Sequence, residues 1–148
     1  KMVSLGETKL AMSDAEIERC YSAIAQLRSH LSPQAFVEQV KRQQTAGYHL
    51  AYLENSQTIQ SVAGFYIRES LSWSRYLYLE DLITCEEARS QGYGSTLFQW
   101  LVDFAKAQQC QQLHLDSGVT RYAAHRFYLN RGMVIAGYHF AMTLHESP

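Results

Sequence analysis

The sequence predicts an α/β fold: a mixed, mostly antiparallel central sheet of six to seven strands with about four helices covering both of its faces. Three observations carry this. Two capped segments with helical apolar spacing occupy the first third, three runs of aromatic and branched residues fill the middle, and helix and strand periods alternate from Gly92 onward. The chain has 148 residues, enough to bury roughly 68–70 % of its unfolded surface without staples. With two prolines, no repeat and no Pro/Gly-rich linker, residues 1–148 read as one domain.

Lys9 to Met12 suits a short strand. Ser13 then begins an S-x-x-E capping box with Glu16, which starts a helix running to about His30. Ser32-Pro33 places a cap ahead of proline at the first helical position, opening a second helix through Phe36, Val37 and Val40 that Gly47 ends. Tyr48–Glu54, Ile59–Glu69 and Tyr76–Thr84 are three antiparallel strands, the first two joined by a turn at Asn55-Ser56-Gln57. Leu97, Leu101, Phe104 and Ala105 mark a helix from Gly92 to about Gln108. Leu113–Ser117 is a strand, Arg121–Asn130 a helix stopped by Arg131-Gly132, and Val134–Leu144 a closing pair of strands or one bent strand.

Hydrophobic residues at 47 % and charged residues at 18 % exclude disorder and coiled coil, and a net charge of −1 argues against nucleic-acid and membrane-surface binding. The three cysteines are widely spaced with no CxxC pair, so neither a disulfide framework nor a structural zinc is expected. No run of 18 apolar residues and no signal-peptide core occurs; the expectation is a cytoplasmic protein.

The most informative stretch runs from Leu79 to Ser95. A strand enters a short loop, and Arg89-x-x-Gly92-x-Gly94 opens an amphipathic helix. Glycines there let backbone N–H groups approach an anion, and the helix N-terminus adds its positive dipole end, so a phosphate or pyrophosphate suits the site; the alternative is a plain glycine turn joining strand to helix. Leu97 stands where a dinucleotide fingerprint needs its third glycine, and a Walker Gly-Lys-Ser/Thr is absent.

This stretch resembles the GNAT N-acetyltransferase superfamily, whose signature is Gln/Arg-x-x-Gly-x-Gly/Ala at the start of the helix after the fourth strand; Arg89, Gly92 and Gly94 match it. Ala124 to Met133 is similar to the family's second acetyl-CoA element, a helix carrying a tyrosine with a Gly-hydrophobic exit. The resemblance spans nearly the whole chain and implies the GNAT fold and acetyl-CoA as co-substrate, with no metal. It implies that Leu82, Ile83 and Thr84 offer backbone groups to the pantetheine arm, and that amides of Ser90, Gln91, Gly92, Tyr93, Gly94 and Ser95, beside Arg89, bind the pyrophosphate. Arg121 and Ala124 align with an Asn-x-x-Ala contact region in which Arg replaces Asn; Arg121 then either meets a CoA phosphate or caps its helix from solvent.

By the same resemblance, Tyr128 is the general acid that protonates the departing thiolate; a phenol of pKa near 10 stays protonated at neutral pH. Packing as a core aromatic beside Phe127 is the alternative. The Leu79-Glu80-Asp81-Leu82 run resembles that of diamine and polyamine acetyltransferases and implies Glu80 as base, against the alternative of a solvent-facing carboxylate. Strand alternation sets Tyr78, Glu80 and Leu82 on one face and Leu79, Asp81 and Ile83 on the other. An alkyl amine with pKa near 10.4 costs about 4 kcal/mol to neutralise near pH 7.4, and direct transfer to a carboxylate of pKa 4.3 is uphill by about 8 kcal/mol. A water relay or a raised pKa is therefore required.

Other groupings carry less. His114, Asp116 and Ser117 are close in sequence, but Ser117 faces away from the other two on a strand, and no G-x-S-x-G elbow exists. The six histidines form no H-x-H or H-E-x-x-H pair. Trp73, Tyr76 and Tyr78 either line an acceptor pocket or pack the sheet, and the resemblance brings His139 near the acceptor. Cys85 is expected to be an incidental thiol rather than a nucleophile. The reading is direct acetyl transfer to the primary amine of a small molecule. A protein or peptide acetyltransferase and a non-catalytic CoA-binding module are the alternatives, and a homodimer is compatible.

Overall fold

Ser13 opens the first helix as its spacing from Glu16 requires. Ser13 Oγ accepts the Glu16 N–H at 3.2 Å, and Glu16 Oε1 accepts the Ser13 N–H at 3.1 Å. In this computed structural model, which describes residues 5–146, the chain divides into two compact units, Lys1–Leu115 and Asp116–Pro148. The first holds β1 (Glu7–Leu10), α1 (Asp14–Arg19), α2 (Tyr21–Leu27), α3 (Pro33–Thr45), β2 (Tyr48–Asn55), β3 (Thr58–Ser70), β4 (Ser74–Thr84), a 3₁₀ turn (Glu86–Ala88), α4 (Tyr93–Ala107) and β5 (Gln112–Leu115); the second holds α5 (Tyr122–Asn130).

The sheet is five-stranded, ordered β1-β2-β3-β4-β5, antiparallel except for the parallel β4/β5 pair. Asn55 pairs with Thr58 around Ser56 and Gln57, both at positive φ, the two-residue hairpin whose twist suits the flanking strands. Helices cover both faces. On β3, Phe65 meets Trp100 and Phe104 of α4, with ring centroids 6.4 and 5.5 Å apart. Its neighbour Tyr66 points the other way, where its hydroxyl accepts from Gln43 of α3 at 3.4 Å.

Three expectations are corrected. The helix from Ser13 to His30 is two, because the turn tightens at buried Cys20: its N–H bonds Ile17 O at 3.0 Å, three residues back, which brings Ile17, Ala23 and Ile24 all into the core. The closing strands at Val134–Leu144 are absent: the described residues from 133 to 146 form neither helix nor ladder, since a strand exists only where another pairs with it. The sheet accordingly has five strands rather than six or seven, with five α-helices rather than four among the described residues.

Candidate active site

The register of β3 on β4 breaks at Glu80. Gly64 faces Asp81 and Phe65 faces Leu79, so Glu80 is the extra residue of a β-bulge. The bulge overturns the simple alternation across it. Tyr78 pairs with Tyr66 and Asp81 with Gly64, which puts Tyr78 and Asp81 on one face; Leu79 and Leu82, opposite Phe65 and Ala63, share the other.

Arg28, at the end of α2, holds the bulge: Nε donates to Asp81 Oδ1 at 3.0 Å and Nη2 to the Glu80 carbonyl at 3.1 Å. Buried Tyr48 donates its hydroxyl to Asp81 Oδ2 at 2.7 Å. The Tyr48 hydroxyl reaches Asp81 through space a side chain would fill, since a Cβ on Gly64 would stand 1.5 Å from Tyr48 Oη and 2.8 Å from Asp81 Oδ2. Burial, with the Asp81 charge, pushes the Tyr48 phenol well up, which keeps it a donor.

Both oxygens of Asp81 are thus engaged, whereas no protein group hydrogen-bonds the Glu80 carboxylate among the described residues. Partial burial and the neighbouring Asp81 charge raise the Glu80 pKa, opposed by Arg68 and Arg28. Glu80 and Asp81 line a cavity of about 240 Å³ whose other walls come from α2, the loop to α3, α3 itself and Tyr48. Trp73, Tyr76 and Tyr78 are not in that lining. Trp73 instead stacks on His114 at 3.6 Å and meets Tyr76 edge-on at 5.1 Å, which is sheet packing.

β4 pairs with β5 only from Tyr76 to Leu79. Beyond that the two strands part, and Leu82, Ile83 and Thr84 are paired with β3 alone among the strands. Ser61 Oγ bonds the Ile83 carbonyl at 2.9 Å and Thr84 Oγ1 at 3.1 Å, fixing this stretch. The loop that follows carries Arg89, whose Nε reaches Thr84 O at 3.4 Å, then Ser90 and Gly92 at positive φ. Gly92 caps α4 in a left-handed conformation, and the helix begins at Tyr93. Gly94 leaves room there: a Cβ would come within 3.2 Å of Thr84 Oγ1.

In the second unit, Tyr128 lies on α5, half-buried, its ring 5.5 Å from Phe127. Burial raises its pKa while Arg121 opposes the rise, so the phenol is protonated at neutral pH. Exposed Arg121 occupies the N-cap position of α5 without a side-chain capping bond, and Ala124 is half-buried. In the second unit Asp116 pairs with His139 at 3.3 Å, and in the first His114 stacks on Trp73. Burial raises the Cys85 thiol, whose Sγ lies 3.5 Å from Ile59 O, the setting of an unreactive cysteine. No group of three or more metal-ligating side chains occurs among the described residues, nor a helix long and apolar enough to cross a membrane.

The sequence profile of the GNAT acetyltransferase family matches residues 15–133. The chain belongs to the GNAT acetyltransferase family. It is 30 % identical over 134 residues to the uncharacterised N-acetyltransferase YhdJ of Bacillus subtilis (strain 168), covering 89 % of this chain and 94 % of that one. Among solved structures, a protein described as a transcriptional regulator from Bacillus halodurans C-125 superposes with a TM-score of 0.81 at 21 % identity, over 93 % of this chain and 100 % of the other. Glucosamine-6-phosphate N-acetyltransferase from Arabidopsis thaliana gives 0.74 at 15 % identity, over 94 % and 99 %. These two likenesses are of fold. GNAT enzymes transfer acetyl groups from acetyl-CoA, so this chain is an acetyltransferase.

Asp81, Tyr48 and Arg28 are the residues that sequence reasoning passed over as a unit. They lie 33 and 53 positions apart in their pairings, and only Gly64 within an aromatic strand hinted at a close approach.

Proposed function

We propose that this GNAT protein, as one domain, moves the acetyl group of acetyl-CoA directly to the primary amine of a small molecule. The observation that carries this reading is the half-open cavity of about 240 Å³ with Glu80 and Asp81 in its wall: Arg28 pairs with Asp81, which leaves the Glu80 carboxylate to meet a small cationic amine.

The β4 edge at Leu82, Ile83 and Thr84 would receive the pantetheine arm as an added strand receives its ladder bonds. The N–H groups from Ser90 to Ser95, with Arg89, would meet the pyrophosphate, and Gly94 keeps that approach clear. Arg121 and Ala124 are assigned to cofactor contact by their alignment with the family's second element. In the reaction the amine nitrogen forms a bond to the thioester carbonyl carbon and the C–S bond breaks. Tyr128 gives its proton to the leaving thiolate. Glu80 takes the amine proton through water: its raised pKa narrows the uphill gap, and its carboxylate is free of protein hydrogen bonds where that of Asp81 is not.

The test is thiol release from acetyl-CoA across a panel of diamines, amino sugars, aminoalkyl acids and lysine peptides. Turnover with small amines at kcat/KM well above that for peptides is expected. Turnover with peptides alone would transfer the assignment to protein acetylation, and CoA binding without turnover on any amine would make the chain a binding module.

A further inference from the structure

Every side chain that lines the cavity at Glu80 and Asp81 belongs to the first unit, so the charge of its lining is set within that unit. Two carboxylates stand against one guanidinium. Arg28 pairs with Asp81 Oδ1 and Tyr48 donates to Oδ2, so Asp81 already has a cationic and a neutral partner. Glu80 is left, and a single ammonium matches it. Besides Tyr48, the lining holds one more titratable side chain, His30, whose imidazole is neutral or cationic and never an anion.

α3 supplies the rest of the polar wall without charge. Gln39 Nε2 donates to Gln43 Oε1 at 2.9 Å, and Gln43 Nε2 to Tyr66 Oη at 3.4 Å, which leaves Gln39 Oε1 without a protein donor among the described residues. The acidic residue of α3, Glu38, accepts from Gln34 and is not in the lining. Between the two amides and Asp81 stand the rings of Tyr48 and Tyr66, their centroids 5.3 Å apart. Buried Ile24, Phe36 and Val40 line the space with hydrocarbon.

We infer that the acceptor is a monoamine with an apolar middle and an uncharged hydrogen-bonding group, such as a hydroxyl, at its other end, and that diamines and polyamines are disfavoured. This rests on the cavity being the acceptor site of the transferase proposed above. A second ammonium carried into this lining meets amides and an imidazole in place of a carboxylate, and gives up hydration that no opposite charge replaces. A hydroxyl in the same place donates to Gln39 Oε1 and accepts from an amide N–H. The volume of about 240 Å³ corresponds to on the order of eight waters, the scale of a short aliphatic chain with a polar group at each end. The likeness of Leu79-Glu80-Asp81-Leu82 to the diamine and polyamine enzymes then covers the base and not the second charge of their substrates.

The test compares aminopentanol, hexylamine, cadaverine and aminohexanoate, which share an amine on a chain of five methylenes and end in hydroxyl, methyl, ammonium and carboxylate. Thiol release from saturating acetyl-CoA at pH 8 should give aminopentanol the highest kcat/KM, at least about tenfold above that of cadaverine. Gln39 is exposed, and Gln39→Glu puts a second carboxylate in the wall; it should move the aminopentanol-to-cadaverine ratio toward cadaverine by about tenfold and leave hexylamine nearly unchanged. Cadaverine, hexylamine or aminohexanoate equal to or better than aminopentanol would overturn the inference, as would a ratio unmoved in a folded Gln39→Glu protein; each leaves acetyl transfer to small amines standing. Thiol release with none of the four would overturn it too, and the wider amine panel then decides the reading on which it rests.

Discussion

Arg28 and Tyr48 occupy both oxygens of Asp81, so that carboxylate is fixed in place, while the adjacent Glu80 carboxylate takes no protein hydrogen bond among the described residues. The β4 bulge makes this division, because without the extra residue the two side chains would alternate strictly across the sheet. If Glu80 drains the proton of the amine, Glu80→Gln should lower kcat/KM most at pH 6–7, where the amine is charged, with the deficit shrinking toward pH 10 as the substrate loses its proton unaided. Parallel wild-type and variant pH profiles less than about threefold apart would remove Glu80 from the proton path. The role proposed for Tyr128 is a different one, protonation of the leaving group. A thiolate departs more readily than an alkoxide, so the loss on Tyr128→Phe is expected near the lower part of the range for general acid catalysis, about 100- to 1000-fold in kcat, with CoA affinity nearly unchanged by calorimetry. An unchanged kcat would return Tyr128 to ring packing beside Phe127.

At the scale of elements, the α1 capping box does more than start a helix. Glu16 Oε1 closes the box while Oε2 accepts the Tyr52 hydroxyl at 2.7 Å, tying α1 to β2. These bonds, that from Tyr52 foremost, hold the Glu16 carboxyl down from its ordinary 4.5 to about 2. Because the folded value is the lower one, the stabilisation is complete above the unfolded pKa of 4.5 and is lost as pH falls through about 2. Glu16→Gln should therefore cost about 1 kcal/mol at pH 7, or about 2–4 °C in Tm. Thermal melts of both proteins from pH 7 down to 2 should converge at the acid end, and a constant gap would sever the link between the Tyr52 bond and the pKa. The capping box was legible from two residues three apart, because its chemistry is local. The break at Cys20 was not, since periodicity continues through it and only the tightened turn shows that two helices share one core face. The bulge was equally hidden: it depends on which β3 residue stands opposite, and Gly64 acquires meaning only once Tyr48 passes beneath it.

For the whole molecule, strand and helix order was readable wherever periodicity and a local stop signal coincided, as at Ser32-Pro33 or Gly92, and failed at Val134–Leu144, where the pattern was that of a strand and the partner was missing. A ligand that binds only the folded chain should make the cofactor loop visible in global stability. At a free concentration 100 times its Kd, acetyl-CoA adds about 2.7 kcal/mol. For a chain of this size each kcal/mol moves Tm by about 2–4 °C, so saturating acetyl-CoA should raise the melting temperature by about 5–10 °C. Gly92→Asp tests where that energy arises. Its own melting point should fall by a few degrees, because Gly92 sits at φ +90° and an added Cβ would come within 3.1 Å of Leu5. The ligand-induced rise is a separate quantity, and it should vanish at the same acetyl-CoA concentration, since a carboxylate at the start of α4 repels the pyrophosphate that those N–H groups would attract. A folded Gly92→Asp protein that keeps the full rise would move the pyrophosphate away from the Arg89-to-Ser95 loop.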